Sequence, residues 1–148
     1  MKKTLLIPGL SLALLGWCTL RAQAPADSHS VWDGVYTEEQ AKRGEDVYQR
    51  ECAPCHGATL MGGESSPPLT GGAFQANWNG LTLGDLFDRI RKTMPQTAPG
   101  RLTRQQNADV LAFMLSVNKF PAGKTELYRQ SEMLKDIRFE TKKPAAKN

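Results

Sequence analysis

Apolar residues recur at helical spacing in four stretches of the chain, two of which open on the same local signal. Thr37-Glu38-Glu39-Gln40 has the pattern of a capping box, a hydroxyl at the cap and an amide three residues on. A helix to about Glu51 is predicted from there, because Ala41, Gly44, Val47, Tyr48 and Cys52 fall on one face. Glycine inside a helix costs about 1 kcal/mol, so Gly44 on that face predicts close approach by a second helix. Thr103-Arg104-Gln105-Gln106 repeats the capping pattern and predicts a helix to about Val117, with Val110, Leu111, Phe113, Met114 and Val117 inward. Between the two, Asp85 to Lys92 reads as a short helix with Leu86, Phe87 and Ile90 on one side. Pro95 ends it and pushes Met94 into an extended conformation. A weaker helix is expected from Glu126 to Ile137, after the break at Phe120-Pro121-Ala122-Gly123, with Leu127, Leu134 and Ile137 inward. No segment alternates with the period of a strand, so the expectation is an all-α domain.

Residues 57–82 contain eight glycines and prolines and no long periodic run. A loop of that length in a small domain usually wraps something or does something. At the N-terminus, Met1-Lys2-Lys3, the apolar stretch Leu5 to Leu20 and the small residues Ala22, Ala24 and Ala26 read as an export signal. Cleavage after Ala26 is the better reading, since cleavage after Ala24 would leave Pro25 first. An uncleaved anchor is disfavoured because the apolar stretch falls short of the roughly 20 residues that span a bilayer. A lipid on Cys18 is disfavoured by the bulky Trp17 before it. The expected organisation is a signal over 1–26, a polar lead-in over 27–36, one domain over 37–138 and a charged, disordered tail over 139–148. The expected location is the periplasm, with membrane contact only if the signal stays attached.

The formal charge of the whole chain is +4, but loss of Lys2, Lys3 and Arg21 with the signal brings it to +1. Residues 27–141 carry −2, so the basic character belongs to the two ends. No basic stripe remains to suggest nucleic acid.

Without Cys18, the remaining cysteines are Cys52 and Cys55, separated by Ala53-Pro54 and followed directly by His56. Two thiols at this spacing can each add across one vinyl group of a haem, and the adjacent imidazole can ligate the iron. The rival readings each lack something. A disulfide framework would want more pairs, a zinc site would want four ligands where only His29 is to spare, and a redox dithiol would want a βαβ setting. With His56 on one face of the ring, the second axial ligand must come from a segment that crosses to the other. Met61 is five residues away and would have to round the ring edge almost at once. Met94, held extended before Pro95, has the chain length to reach. Met114 and Met133 sit at apolar helical positions and read as core.

The order of capped helix, Cys52-Ala53-Pro54-Cys55-His56, Gly/Pro loop, short helix, Thr93-Met94-Pro95 and capped helix resembles a small class I c-type cytochrome over residues 37 to 120. Asp85 to Ile90, Thr93-Met94-Pro95 and Asn107 to Phe113 are similar to cytochrome domains that serve periplasmic quinoprotein alcohol dehydrogenases. The resemblance implies a cytochrome c fold of three to five helices around one covalent haem c, with His56 and Met94 on the iron. It also implies that the Pro67 carbonyl accepts from the His56 imidazole, a plain turn being the alternative. Trp78 has two readings, donation to a haem propionate or filling of the core. Gly44, Tyr48 and Phe113 match the family's contact between first and last helices. The implied function is one-electron transfer rather than enzymatic catalysis, with a dehydrogenase as donor and an oxidase or another cytochrome as acceptor. Two alternatives stand beside it, a fixed subunit of a dehydrogenase complex and a haem enzyme with a displaceable sixth ligand.

Overall fold

The computed structural model describes residues 29–64 and 66–145, so the signal expected over 1–26 lies outside the described residues. Within them the chain is mostly helical: α1 (Glu38–Glu51), α2 (Ala53–His56), α3 (Gly71–Trp78), α4 (Leu83–Thr93), α5 (Arg104–Val117) and α6 (Ser131–Leu134). No helix among them is long and apolar enough to cross a membrane.

α1 and α5 start at the expected caps, yet only one closes a full capping box. In α5 the Thr103 hydroxyl accepts from the Gln106 N–H at 3.2 Å, and the Gln106 side chain accepts from the Thr103 N–H at 2.9 Å. In α1 the Thr37 hydroxyl accepts from the Gln40 N–H, but the Gln40 side chain is fully buried and turned elsewhere. Its Oε1 accepts from the Leu127 N–H at 2.6 Å and its Nε2 donates to the Leu127 carbonyl at 3.1 Å. A buried amide gains more from satisfying a buried peptide than from an exposed cap. α4 begins two residues earlier than expected because Thr82 and Asp85 form a capping box of their own.

α5 is the axis of the core. Every residue from Asn107 to Leu115 is buried, a wider burial than a single apolar face would require. α1 crosses it where Gly44 meets the Asp109 backbone and Tyr48 tilts against Phe113, ring centroids 5.3 Å apart. α4 lays Leu83, Leu86, Phe87 and Ile90 on the same core.

Several expectations are corrected here. The region 57–82 is not all loop, for α3 forms in it despite Gly71 and Gly72. Packing outweighs propensity: Phe74 is buried between Trp78 and Phe139, at centroid distances of 6.4 and 5.9 Å. The helix expected over 126–137 shrinks to α6, and Met133, read as core, is 47% exposed. Short strands also occur: β1 (His29–Ser30) pairs in parallel with β2 (Ile137–Arg138). With β1, the described part of the lead-in, 29–36, packs into the domain. Val31 and Tyr36 are buried, the Tyr36 hydroxyl donates to the Phe120 carbonyl, and the Trp32 indole donates to the Glu140 carbonyl. The first residues of the expected tail, 139–141, are likewise packed into the domain. Phe139 is fully buried and exchanges backbone hydrogen bonds with Gly80 and Leu81, and Thr141 bonds Asn79. These end segments lack periodicity because they lie over a finished core as single passes, each burying isolated side chains.

Candidate functional site

Cys52 caps the end of α1, its N–H donating to the Tyr48 carbonyl at 2.8 Å, and the chain turns there into α2. The Cys52 carbonyl then accepts from both the Cys55 and His56 N–H groups, at 3.1 and 2.9 Å. One helical turn therefore holds two thiols and an imidazole on a fixed backbone. Both cysteines are free; Cys52 is partly buried against the core and Cys55 is exposed. Burial, with smaller contributions from Glu51 and Cys55, pushes the Cys52 thiol up to about 11.

His56 is 8% exposed. Its Nδ1 lies 2.9 Å from the Pro67 carbonyl oxygen. Since that oxygen can only accept, Nδ1 carries a proton in this contact. Nε2 has no hydrogen-bond partner among the described residues. The Pro67 carbonyl is brought there by a tight loop. The Gly62 N–H donates to the His56 carbonyl, and the Leu69 N–H donates to that of Leu60. Gly62 has φ +83°, and a Cβ there would meet the Ser66 oxygen at 2.7 Å, so only glycine fits this turn. The Tyr48 hydroxyl ties the loop back to α1 by donating to the Gly57 carbonyl at 2.8 Å; burial raises its pKa, which keeps it a donor.

Met94 is the C-cap of α4, extended at φ −123° and ψ 155°, and its side chain packs partly buried against the core. Trp78 closes α3 and packs against the same core, and its indole N–H has no acceptor among the described residues. Cys52, Ala53, Leu69, Trp78 and Met94 thus border one continuous apolar body from four segments of chain. Met61 stands apart, 67% exposed, while Met114 is core at 2%.

Two further groups in this region escaped the sequence reading. Asn118, just past α5, donates to the Leu69 carbonyl at 3.0 Å and accepts from the Gly71 N–H at 3.3 Å, pinning the end of the Pro67 loop. Arg101 pairs with Glu51, the residue before Cys52. Neither lies in a motif, and their partners are 49 and 50 residues distant.

The donor set fits a haem. It offers two free thiols one helical turn apart, an imidazole whose other nitrogen has no hydrogen-bond partner among the described residues, and a soft thioether at the margin of an apolar body. The His56 to Pro67 contact is of the kind that fixes a ligating ring and raises its basicity. By contrast, no cluster of three or more His, Cys, Asp or Glu residues suited to a bare metal ion occurs among the described residues.

Comparison with known proteins agrees with this chemistry. Residues 39–114, half of the chain and inclusive of Cys52, Cys55, His56 and Met94, match the family described as cytochrome C oxidase, cbb3-type, subunit III. Among solved structures, the sulfane dehydrogenase SoxCD from Paracoccus pantotrophus is similar, with 19% identity and a TM-score of 0.49. The match covers 73% of this chain and 61% of that one, so this chain spans less than two thirds of its relative. No curated protein matches.

Proposed function

Since the chain belongs to the cbb3-type cytochrome c oxidase subunit III family and is a c-type cytochrome domain, we propose that it carries single electrons in the periplasm on one covalent haem c. The observation that carries this reading is His56, placed on one helical turn with two free thiols and left with only Nε2 unbonded. Bound haem supplies a one-electron Fe(III)/Fe(II) couple. The chain does the rest. Cys52 and Cys55 would hold the haem through thioether bonds, and His56 and Met94 would ligate its iron. The Pro67 carbonyl orients the His56 ring through Nδ1, and Trp78 would offer its indole N–H to a propionate.

With imidazole and thioether on the iron, no coordination site is open to a substrate, which favours a carrier over an enzyme. Thioether ligation raises the potential and so suits the protein to accept electrons. A periplasmic quinoprotein dehydrogenase is the proposed donor, and an oxidase or another cytochrome the acceptor. The similarity around Leu86, Thr93-Met94-Pro95 and Ala108 to Phe113 supports the donor. Electron transfer asks only for a brief contact, so the docking surface should be at the small end of interface sizes.

Mass analysis after acid–acetone treatment tests covalent attachment; haem that extracts freely overturns it. The ferric spectrum with and without cyanide tests the closed site. Stopped-flow reduction by a candidate dehydrogenase with its substrate tests the donor, and a rate no faster than with substrate alone rules that donor out.

A further inference from the structure

The segment from Met94 to Arg101 is held almost entirely by itself. Its backbone bonds run from the Ala98 N–H to Pro95, from the Gly100 N–H to Met94 and from the Arg101 N–H to Ala98. Pro95 and Pro99 contribute no donor, and Gln96, Thr97, Pro99 and Gly100 are exposed. Its downstream end is fastened to α5 through buried Leu102, whose carbonyl accepts from Asn107 Nδ2 at 3.1 Å. One polar contact joins the segment to the helix that leads into the thiols: Arg101 to Glu51, the last residue of α1 and the neighbour of Cys52. No other hydrogen bond or ion pair between 94–101 and α1 or α2 occurs among the described residues.

We infer that the Glu51–Arg101 pair is a latch that keeps the Met94 segment closed on the Cys52–His56 turn, setting how readily the Met94 thioether yields its place on the iron. This rests on the haem-carrier reading. Glu51 and Arg101 are positioning residues, since neither would touch the iron. The Glu51 side chain is 17% exposed and that of Arg101 51%, so the pair faces water and responds to salt. When the segment swings away, an external ligand can take the vacated position. The apparent affinity for that ligand scales with the fraction of molecules that are open. A partly exposed pair at the favourable end of its usual range corresponds to about a two- to fivefold change in that fraction.

The experiment is a cyanide titration of the ferric holo-protein at low and at high salt, with the far-red sulfur-to-iron band recorded in parallel. The variants are Glu51→Gln, Arg101→Gln, both together, and the exchange of Glu51→Arg with Arg101→Glu. Each single variant should bind cyanide about two- to fivefold more tightly at low salt. The double variant should do no more than either single, and the exchange should return toward the unaltered protein. At about 1 M salt, where screening acts within about 3 Å, the differences should shrink. Asp88→Asn, which breaks the pairs with Arg91 and Lys92 within α4 and touches neither α1 nor the 94–101 segment, should leave cyanide affinity unchanged. Single variants indistinguishable from the unaltered protein, or single effects that add in the double variant, overturn the latch. An unaltered protein that lacks the far-red band, or binds cyanide as tightly as Met94→Ala, overturns the carrier reading instead.

Discussion

Gly44 lies so close to the Asp109 backbone that a Cβ added to it would sit 1.8 Å from the Asp109 carbonyl oxygen and 3.0 Å from Phe113 Cβ. The obstacle is backbone of the most buried helix, which has no rotamer by which to give way. Two helices bearing opposite ends of the fold are thereby brought into contact at one residue without a side chain.

Gly44→Ala should therefore destabilise the protein despite alanine's better helix propensity. Overpacking costs about 1–3 kcal/mol and backbone obstruction places this case at the upper end, against a propensity gain of about 1 kcal/mol. Gly72→Ala in α3, where nothing lies within 4 Å of an added Cβ, should be neutral or mildly stabilising. Denaturant midpoints of the two variants check the contrast; equal midpoints would refute it.

Asn118→Ala should cost about 1 kcal/mol, because it leaves the half-buried Leu69 carbonyl without its donor. The Pro67 loop should loosen with it. Faster exchange of the His56 Nδ1 proton, followed by NMR, is the signature that separates this from a general loss of stability.

Met94→Ala should abolish the far-red band, admit cyanide and lower the reduction potential. Met61→Ala should leave all three unchanged, in keeping with a side chain that is 67% exposed. Exchange of these outcomes between the two variants would move the axial ligand to Met61.

Burial pushes the Cys52 thiol up to about 11 in the folded chain, from 9.0 for an unperturbed thiol. Folding therefore favours the protonated form. Its contribution to stability is complete below pH 9 and is lost between about pH 9 and 11. Protein produced without haem should lose stability across that window, with buried Tyr48 acting in the same direction at higher pH. Cys52→Ser should lessen the loss. In the same haem-free protein, alkylation near pH 8 should reach exposed Cys55 before Cys52. Unfolding midpoints flat from pH 9 to 11, or faster labelling of Cys52, would contradict this account.

Local signals carried the motif and the long helices. Thr103 with Gln106, the break at Pro95 and the apolar spacing of α1, α4 and α5 each act within a turn or two of chain, where sequence distance and spatial distance agree. The adjacency of Cys52, Cys55 and His56 is local in the same way, so the donor atoms of the candidate site were legible before any fold was known. Gly44 also announced its close contact, because an interior helical glycine needs a reason.

What the chain alone did not disclose depends on partners far along it. Gln40 abandons its cap for Leu127, 87 residues away, since burying two peptide groups without partners would cost more than an open cap. α3 forms against its own propensity because Phe74 finds Phe139. Residues 29–35 and 138–141 look like loose ends until they are laid together over the core. The Asn118 and Arg101 contacts belong to the same class, long-range pairings of ordinary polar residues. The sequence by itself thus determined the helices and the donor atoms, through forces that act within a turn. Tertiary packing alone decided which segments close around those atoms, because burial rewards contacts without regard to their separation along the chain.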